Sequence, residues 1–110
     1  MTKPKMILIY ITCESLKQAK EIGALLLKKN LAGCINIIPE VQPMFIWPPG
    51  SGKIDESKEV ILLVKSIEEK YEKIEKKVLS AHSFDTVCIF AIPVMKVGKK
   101  YYEWLLSEIK

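Results

Sequence analysis

The chain has 110 residues, of which 49% are hydrophobic and 27% are charged. This length suits one domain, which we predict over residues 1–110, and the composition excludes the disordered, collagen-like and membrane-spanning classes of protein. The 17 Lys and Arg residues outnumber the 13 Asp and Glu residues, but lysines are interleaved with glutamates rather than clustered, so we expect no nucleic-acid partner.

The first predicted strand is the uninterrupted apolar run from Met6 to Ile11. Ser15, with Gln18 three positions later, fits a capping box and predicts that a helix starts there. Asn30 fits a left-handed stop for this helix. Between these signals, apolar residues recur at helical spacing and predict one stripe packed on a sheet: Leu16, Ala19, Gly23, Leu26 and Leu27.

A second strand is predicted from Leu31 to Pro39, and Pro39 and Pro43 mark a bend or an edge before the run Met44 to Trp47. The segment Pro48 to Gly52 has the composition of a turn. A third strand, Glu59 to Lys65, follows a polar stretch, and the two strands are expected to form a long hairpin.

Ser66 and Glu69 repeat the capping-box spacing and predict a second helix. A fourth strand is predicted over residues 87–92, and a short closing helix over residues 101–109. The apolar stripe of the second helix has i, i+4, i+7 and i+11 spacing: Ile67, Tyr71, Ile74 and Val78.

The resulting order, βαββαβ followed by α, predicts an α+β fold of the ferredoxin-like type, with an antiparallel sheet and helices on one face. Two helices cannot cover all the apolar strand residues, so an apolar face left bare would be an interaction surface. Oligomerisation is therefore expected. The residues that motivate this expectation are Ile7, Ile9, Ile35, Ile37, Ile61, Leu63 and Ile89.

Several short segments of the sequence occur in the order of a known family pattern. They are Thr12 with Ser15, Leu31 to Ile37, Phe45 to Trp47, Glu59 with Lys65, His82 with Phe84 and Asp85, and Tyr101 with Trp104. In these segments the sequence resembles the divalent-cation tolerance (CutA) family over nearly its whole length. The resemblance implies a PII-like homotrimer of ferredoxin-like subunits, with long hairpins between neighbours and a cleft at each subunit boundary.

The loop after the second helix departs from the family pattern, because both of the family's prolines are absent from His82-Ser83-Phe84-Asp85-Thr86-Val87. In some family members the proposed copper site uses a Cys before the Thr and two adjacent His residues. Those places hold Ile11, Ala81 and His82 here, so only His82 carries over.

Cys13, His82 and Asp85 are the candidate metal ligands, if the end of the first strand faces the loop as the resemblance implies. A thiolate with an imidazole suits copper or another divalent cation such as zinc. The alternative is that Cys13 is a small buried hydrophobe and His82 is a hydrogen-bonded loop residue. The spacing alone does not decide between them.

Lys65 and Thr12 form the second candidate site, a polar cleft between subunits that holds a small anion or another small molecule. The alternative is an ordinary surface lysine. Cys34 and Cys88 lie in apolar strands, and both are expected to be core residues.

Three cysteines are too few and odd in number for a disulfide framework, so we expect a reducing, cytoplasmic setting. The run Met6 to Ile11 is too short for an export signal, and no apolar run suggests a membrane partner. With no defined oxyanion hole, an enzyme is not expected. Three functions remain open: a metal-tolerance protein, a PII-like sensor of small anions, and a trimeric scaffold.

Overall fold

A computed structural model describes residues 3–110 and contains six strands and three helices. In chain order these are β1 (Met6–Cys13), α1 (Leu16–Lys28), β2 (Cys34–Val41), β3 (Met44–Ile46), β4 (Ile54–Glu56), β5 (Glu59–Ile67), α2 (Tyr71–Ala81), β6 (Ile89–Pro93) and α3 (Lys99–Glu108). The predicted order of the main elements is confirmed. The short strand β4 is an addition, because it lies in a stretch that the sequence predicts only to be polar.

Four strands form one antiparallel sheet in the order β2-β5-β1-β6, while β3 and β4 pair separately. The central pair is β1 with β5, whose register places Ile9 opposite Val64. Strand β6 pairs with the other side of β1 and places Ile89 opposite Ile11. This is the ferredoxin-like arrangement expected from the element order.

Helix α1 begins and ends at the predicted signals. The Ser15 hydroxyl accepts a hydrogen bond from the Gln18 N–H, and Asn30 follows the helix with a φ of 57°. The capping box is only half formed, because the Gln18 side-chain oxygen accepts from the N–H of Glu14 at 2.9 Å. The predicted stripe is shifted: Leu16 is 44% exposed, while Ile22 is buried.

The second capping box was predicted wrongly. Ser66 is the penultimate residue of β5, fully buried, and its hydroxyl donates to the carbonyl oxygen of Leu31 at 2.5 Å. A 3-10 turn over Glu68–Lys70 then leads into α2. Pairing of Ser66 with Ile7 of β1 keeps this serine in the sheet.

The hairpin from β2 to β5 is interrupted where the sequence indicated a bend. Between Ile38 and Val41 the register shifts, because three steps along β2 match two steps along β5. One extra residue in a strand is a β-bulge, which bends the strand and increases its twist. Beyond the bulge, the ribbon of β3 and β4 is exposed, and Trp47 at its end is 47% exposed.

One face of the sheet, which we call the helix face, packs under α1 and α2. Its strand residues alternate with those of the opposite side, as a pleated strand requires. Ile74 and Val78 of α2 and Leu26 of α1 are fully buried against it. The fully buried strand residues of this face are Ile9, Ile11, Cys13, Leu62, Val64 and Ser66.

The opposite face, which we call the open face, is also apolar, but neither α1 nor α2 covers it. Tyr10 of β1 stacks on Phe90 of β6, with ring centroids 4.9 Å apart. Ile38, Phe90 and Ile92 are 40–45% exposed. Of the residues that motivated the expected interaction surface, only Ile61 and Leu63 lie on the open face. They pair with Thr12 and Tyr10, which alternate along β1 with the residues buried under the helices.

Helix α3 closes the end of the sheet near the start of β2. Leu105 is fully buried, and a Cβ added to Gly33 would lie 2.7 Å from its Cδ1 atom, so this glycine permits the close approach. The carbonyl oxygen of Asn30 accepts from the N–H of Lys110.

Candidate functional site

The end of β1 carries a polar group that we call the β1-end cluster: Thr12, Glu14, Gln18, His82 and Ser83. It forms because β1 stops at Cys13, the Ser15 cap turns the chain into α1, and α2 ends immediately before His82. The N–H of Thr12 donates to the carbonyl oxygen of Cys88 at 3.2 Å, so the end of the 82–88 loop is tied to this end of the sheet.

His82 uses both of its ring nitrogens within the chain. Nε2 lies 2.7 Å from the carbonyl oxygen of Thr12, and Nδ1 lies 3.1 Å from the backbone nitrogen of Phe84. A carbonyl oxygen only accepts, so Nε2 carries the proton and Nδ1 accepts from the Phe84 N–H. This neutral tautomer has a lone pair for a metal ion only if Nδ1 releases Phe84.

The side chain of Gln18 on α1 holds the 82–88 loop by a hydrogen bond. Its side-chain nitrogen donates to the Ser83 hydroxyl at 2.9 Å, while its side-chain oxygen accepts from Glu14. Gln18 is buried and tethers a loop that lacks the prolines of the family pattern. The sequence indicated Gln18 only as a capping residue, because its partner is 65 positions away.

Cys13 and Asp85 occupy opposite environments. The Cys13 side chain belongs to the core on the helix face, and burial, with the nearby Glu59 carboxylate, raises the pKa of its thiol to about 11. Asp85 is exposed on the loop. A metal ion prefers a thiolate, so Cys13 becomes a ligand only if this end of the core opens.

Lys65 lies elsewhere, on the open face. Its ammonium group is 3.5 Å from the Cys34 sulfur and also donates to the side-chain oxygen of Asn36. Lys65 pairs with Leu8 and Thr12 with Ile61, so Lys65 and Thr12 are roughly 13 Å apart along the sheet. The two proposed cleft residues therefore do not meet within one chain.

The cysteines of the apolar strands are less buried than expected. Cys88 is exposed and Cys34 is half-buried. Cys34 also contacts Tyr101 of α3. Burial is the larger cause and a hydrogen bond with Cys34 the smaller cause that raise the pKa of the Tyr101 hydroxyl to about 12. The expectation that both cysteines are core residues was wrong, because each lies where its strand begins or is about to begin.

Within residues 3–110, no group of three or more His, Cys, Asp and Glu side chains is positioned to hold a metal ion. Of the three predicted ligands, His82 and Asp85 lie on the same loop, and Cys13 lies in the core at the end of β1. The helices of this part of the chain include none that is long and apolar enough to cross a membrane.

The chain matches the model of the CutA1 divalent ion tolerance protein family over residues 7–108. The divalent-cation tolerance protein CutA of Archaeoglobus fulgidus is 39% identical over 93% of this chain and 96% of its own length. Protein CutA of Mus musculus is 31% identical, but the match spans only 52% of the mouse protein.

Solved structures agree in fold. The structure described as the periplasmic divalent cation tolerance protein CutA from Archaeoglobus fulgidus has a TM-score of 0.90 at 35% identity, covering 96% of this chain and 99% of that one. CutA1 from Oryza sativa has a TM-score of 0.92 at 25% identity, with 100% and 98% covered. Both likenesses extend over the whole architecture described above.

Proposed function

Because the chain belongs to the CutA1 divalent ion tolerance family, we propose that it is a non-enzymatic homotrimer that helps a cell tolerate divalent cations, copper included, by binding the ion. The observation that carries the binding proposal is the placement of His82, the single histidine of the chain, on a loop beside the end of β1. Asp85 on the same loop is the proposed second ligand, and Cys13 the third.

The proposed binding step exchanges one hydrogen bond for a metal bond. Nδ1 of His82 releases the Phe84 N–H, and the loop, whose residues Ser83, Asp85 and Thr86 are exposed, moves to admit the ion. Imidazole suits copper and zinc, while carboxylate oxygen completes a mixed ligand set. Cys13 joins only when its thiol loses its proton, so its participation would grow with rising pH.

The test is a competition titration of Cu(I) and Cu(II) against a chelator under conditions that keep the thiols reduced. We expect His82→Ala to weaken binding by at least about tenfold and to remove the imidazole signature from the Cu(II) EPR spectrum. Asp85→Asn should weaken binding, whereas its matched control Asp55→Asn, an exposed carboxylate on β4, should not. Weak binding that is indifferent to His82→Ala would refute the site.

The proposal of a homotrimer rests on the apolar open face together with the family. Light scattering at micromolar concentration should give three times the 12.5 kDa of one chain. Ile92→Glu on the open face should lower the mass toward one chain. Leu79→Glu on α2 is the matched control and should leave the mass unchanged. Leu79 is 47% exposed and Ile92 is 45% exposed, but Leu79 lies away from the open face. A monomeric wild type would contradict the proposal.

A PII-like sensor of small anions is the second candidate, and the position of Lys65 favours it. Its ammonium group is held by Asn36 and Cys34 on the half-buried part of the open face. Because Thr12 and Lys65 are separated by four residue positions along the sheet, roughly 13 Å, the two residues would meet only if neighbouring subunits each supply one. Thermal-shift measurements with a series of carboxylates and phosphates test this candidate. If no anion gives a stabilisation that depends on Lys65, the candidate is excluded.

We further propose a cytoplasmic location. The three cysteines are free thiols, which supports a reducing compartment. The Archaeoglobus fulgidus relative is described as periplasmic, so cell fractionation of the native host is the deciding measurement. Recovery of the protein with a secreted marker would overturn this assignment.

A further inference from the structure

A shallow depression in the helical layer, which we call the basic depression, lies apart from both proposed sites. Its volume is about 410 Å³, which falls in the range of roughly 300–1,000 Å³ that small-molecule sites occupy. It is open to solvent. The lining residues are Lys29, Leu31, Lys73, Lys76, Lys77 and Ser80.

The fold assembles the basic depression from two segments. Lys73, Lys76, Lys77 and Ser80 follow i, i+3, i+4 and i+7 spacing on α2, so they share one face of that helix. Lys29 is the residue that caps the end of α1, and the buried Leu31, two residues on, forms the apolar floor. Lysines that alternate with glutamates along the sequence are thereby gathered in space.

The charge of this depression is unbalanced. Four of its six lining residues are lysines. Within residues 3–110, which the structure describes, no acidic residue lines it. A second depression, of about 480 Å³, shows the ordinary arrangement, since Lys3 and Lys5 line it together with Glu68 and Glu69. Positive charges gathered in one concave surface repel one another and raise the local concentration of anions.

We propose that the basic depression binds a small polyvalent phosphoanion, of the chemical class of the oligophosphates. Ammonium groups are compact point charges that suit phosphate oxygens, and four of them match an anion that carries several negative charges. Ser80 lies at the end of the lysine row, and its hydroxyl donates to the carbonyl oxygen of Lys77 at 3.0 Å, so it would donate to a phosphate oxygen only by releasing that bond. This binding is independent of the metal and of the open face.

The test is isothermal titration calorimetry of the whole protein with sodium tripolyphosphate at low ionic strength. Lys73→Gln/Lys77→Gln should weaken binding by about tenfold or more. The matched control is Lys17→Gln/Lys20→Gln, which removes the same charge from exposed positions of α1 and should change the affinity less than about twofold. Circular dichroism checks that both variants keep their helices.

Each outcome decides the proposal. Saturable binding that is lost only in the α2 variant supports it, and equal weakening in the two variants overturns it, because attraction by net charge would then suffice. ATP that binds as tightly as tripolyphosphate supports recognition of the phosphate chain. ATP that binds while tripolyphosphate does not would overturn it in favour of adenosine recognition. Copper affinity is measured in parallel, since the α2 variant should leave it unchanged.

Discussion

The helix face and the open face of the sheet are built from the same strands but meet different surroundings. On the helix face, Ile9 and Leu62 are fully buried under α1 and α2, whereas Phe90 and Ile92 on the open face remain 45% exposed. Strands that are apolar on both sides are typical of sheets covered on both sides. The comparison teaches that hydrophobic content alone does not distinguish a buried core from an exposed apolar face.

The sharpest way to test this comparison uses two adjacent leucines of β5. Leu62→Ala on the helix face should lower the free energy of unfolding by about 2–5 kcal/mol, because it empties part of a packed core. Leu63→Ala on the open face should cost clearly less at protein concentrations low enough to keep the chain monomeric, since Leu63 is only partly buried in one chain. Urea unfolding with matched m-values measures both.

Equal losses for the two leucine variants would break the comparison. They would mean that another layer covers the open face as completely as the helices cover the other. The dependence of the Leu63→Ala loss on protein concentration then separates cover by a second copy from cover within the chain.

A smaller effect is expected from the hydroxyl of Ser66 on the helix face. Ser66→Ala leaves the buried carbonyl oxygen of Leu31 without this donor and should cost about 1–3 kcal/mol in thermal or urea unfolding. Ser107→Ala is the control, because it removes a similar hydroxyl-to-carbonyl bond of 2.6 Å at an exposed position. Similar losses at the two serines would show that burial is not what gives the Ser66 bond its value.

A further effect is confined to alkaline pH and concerns Cys13. Its thiol has a pKa of about 11 in the folded chain against 9.0 for the ordinary group. The unfolded chain therefore loses this proton first, and stability should fall as pH rises from about 9 to about 11. Cys13→Ala should flatten that part of the pH profile of urea midpoints. An unchanged slope would show that the thiol does not contribute.

Much of the fold was predictable from periodicity. Runs such as Met6 to Ile11 and the Ser15 cap gave the correct element order, because strand and helix signals there are local. Ser66 shows where local signals fail, since its spacing to Glu69 matches a capping box but pairing with β1 extends the strand through it. Two-sided apolar strands also conceal which alternate residues face the helices.

The candidate site was predictable only in part. His82 was expected in a loop near the end of β1, yet its bond to the Thr12 carbonyl joins residues 70 positions apart and could not be read from spacing. The burial of Cys13 depends on the register of β1, because the register decides which alternate residues of the strand face the helices. The lysines of the basic depression come from two helical segments, so no window of sequence contains them all.

The bulge in β2 affects how readily another chain can pair with the edges of the sheet. Strands β2 and β6 are the two edges of the sheet, and an exposed edge is a template for strand addition by other chains. In β2 the regular register breaks between Ile38 and Val41, where Pro39 also lacks an N–H, and β6 runs for only five residues before ending at Pro93. Neither edge offers a long regular ladder, so fibril-like growth is opposed even though both faces of the sheet are apolar.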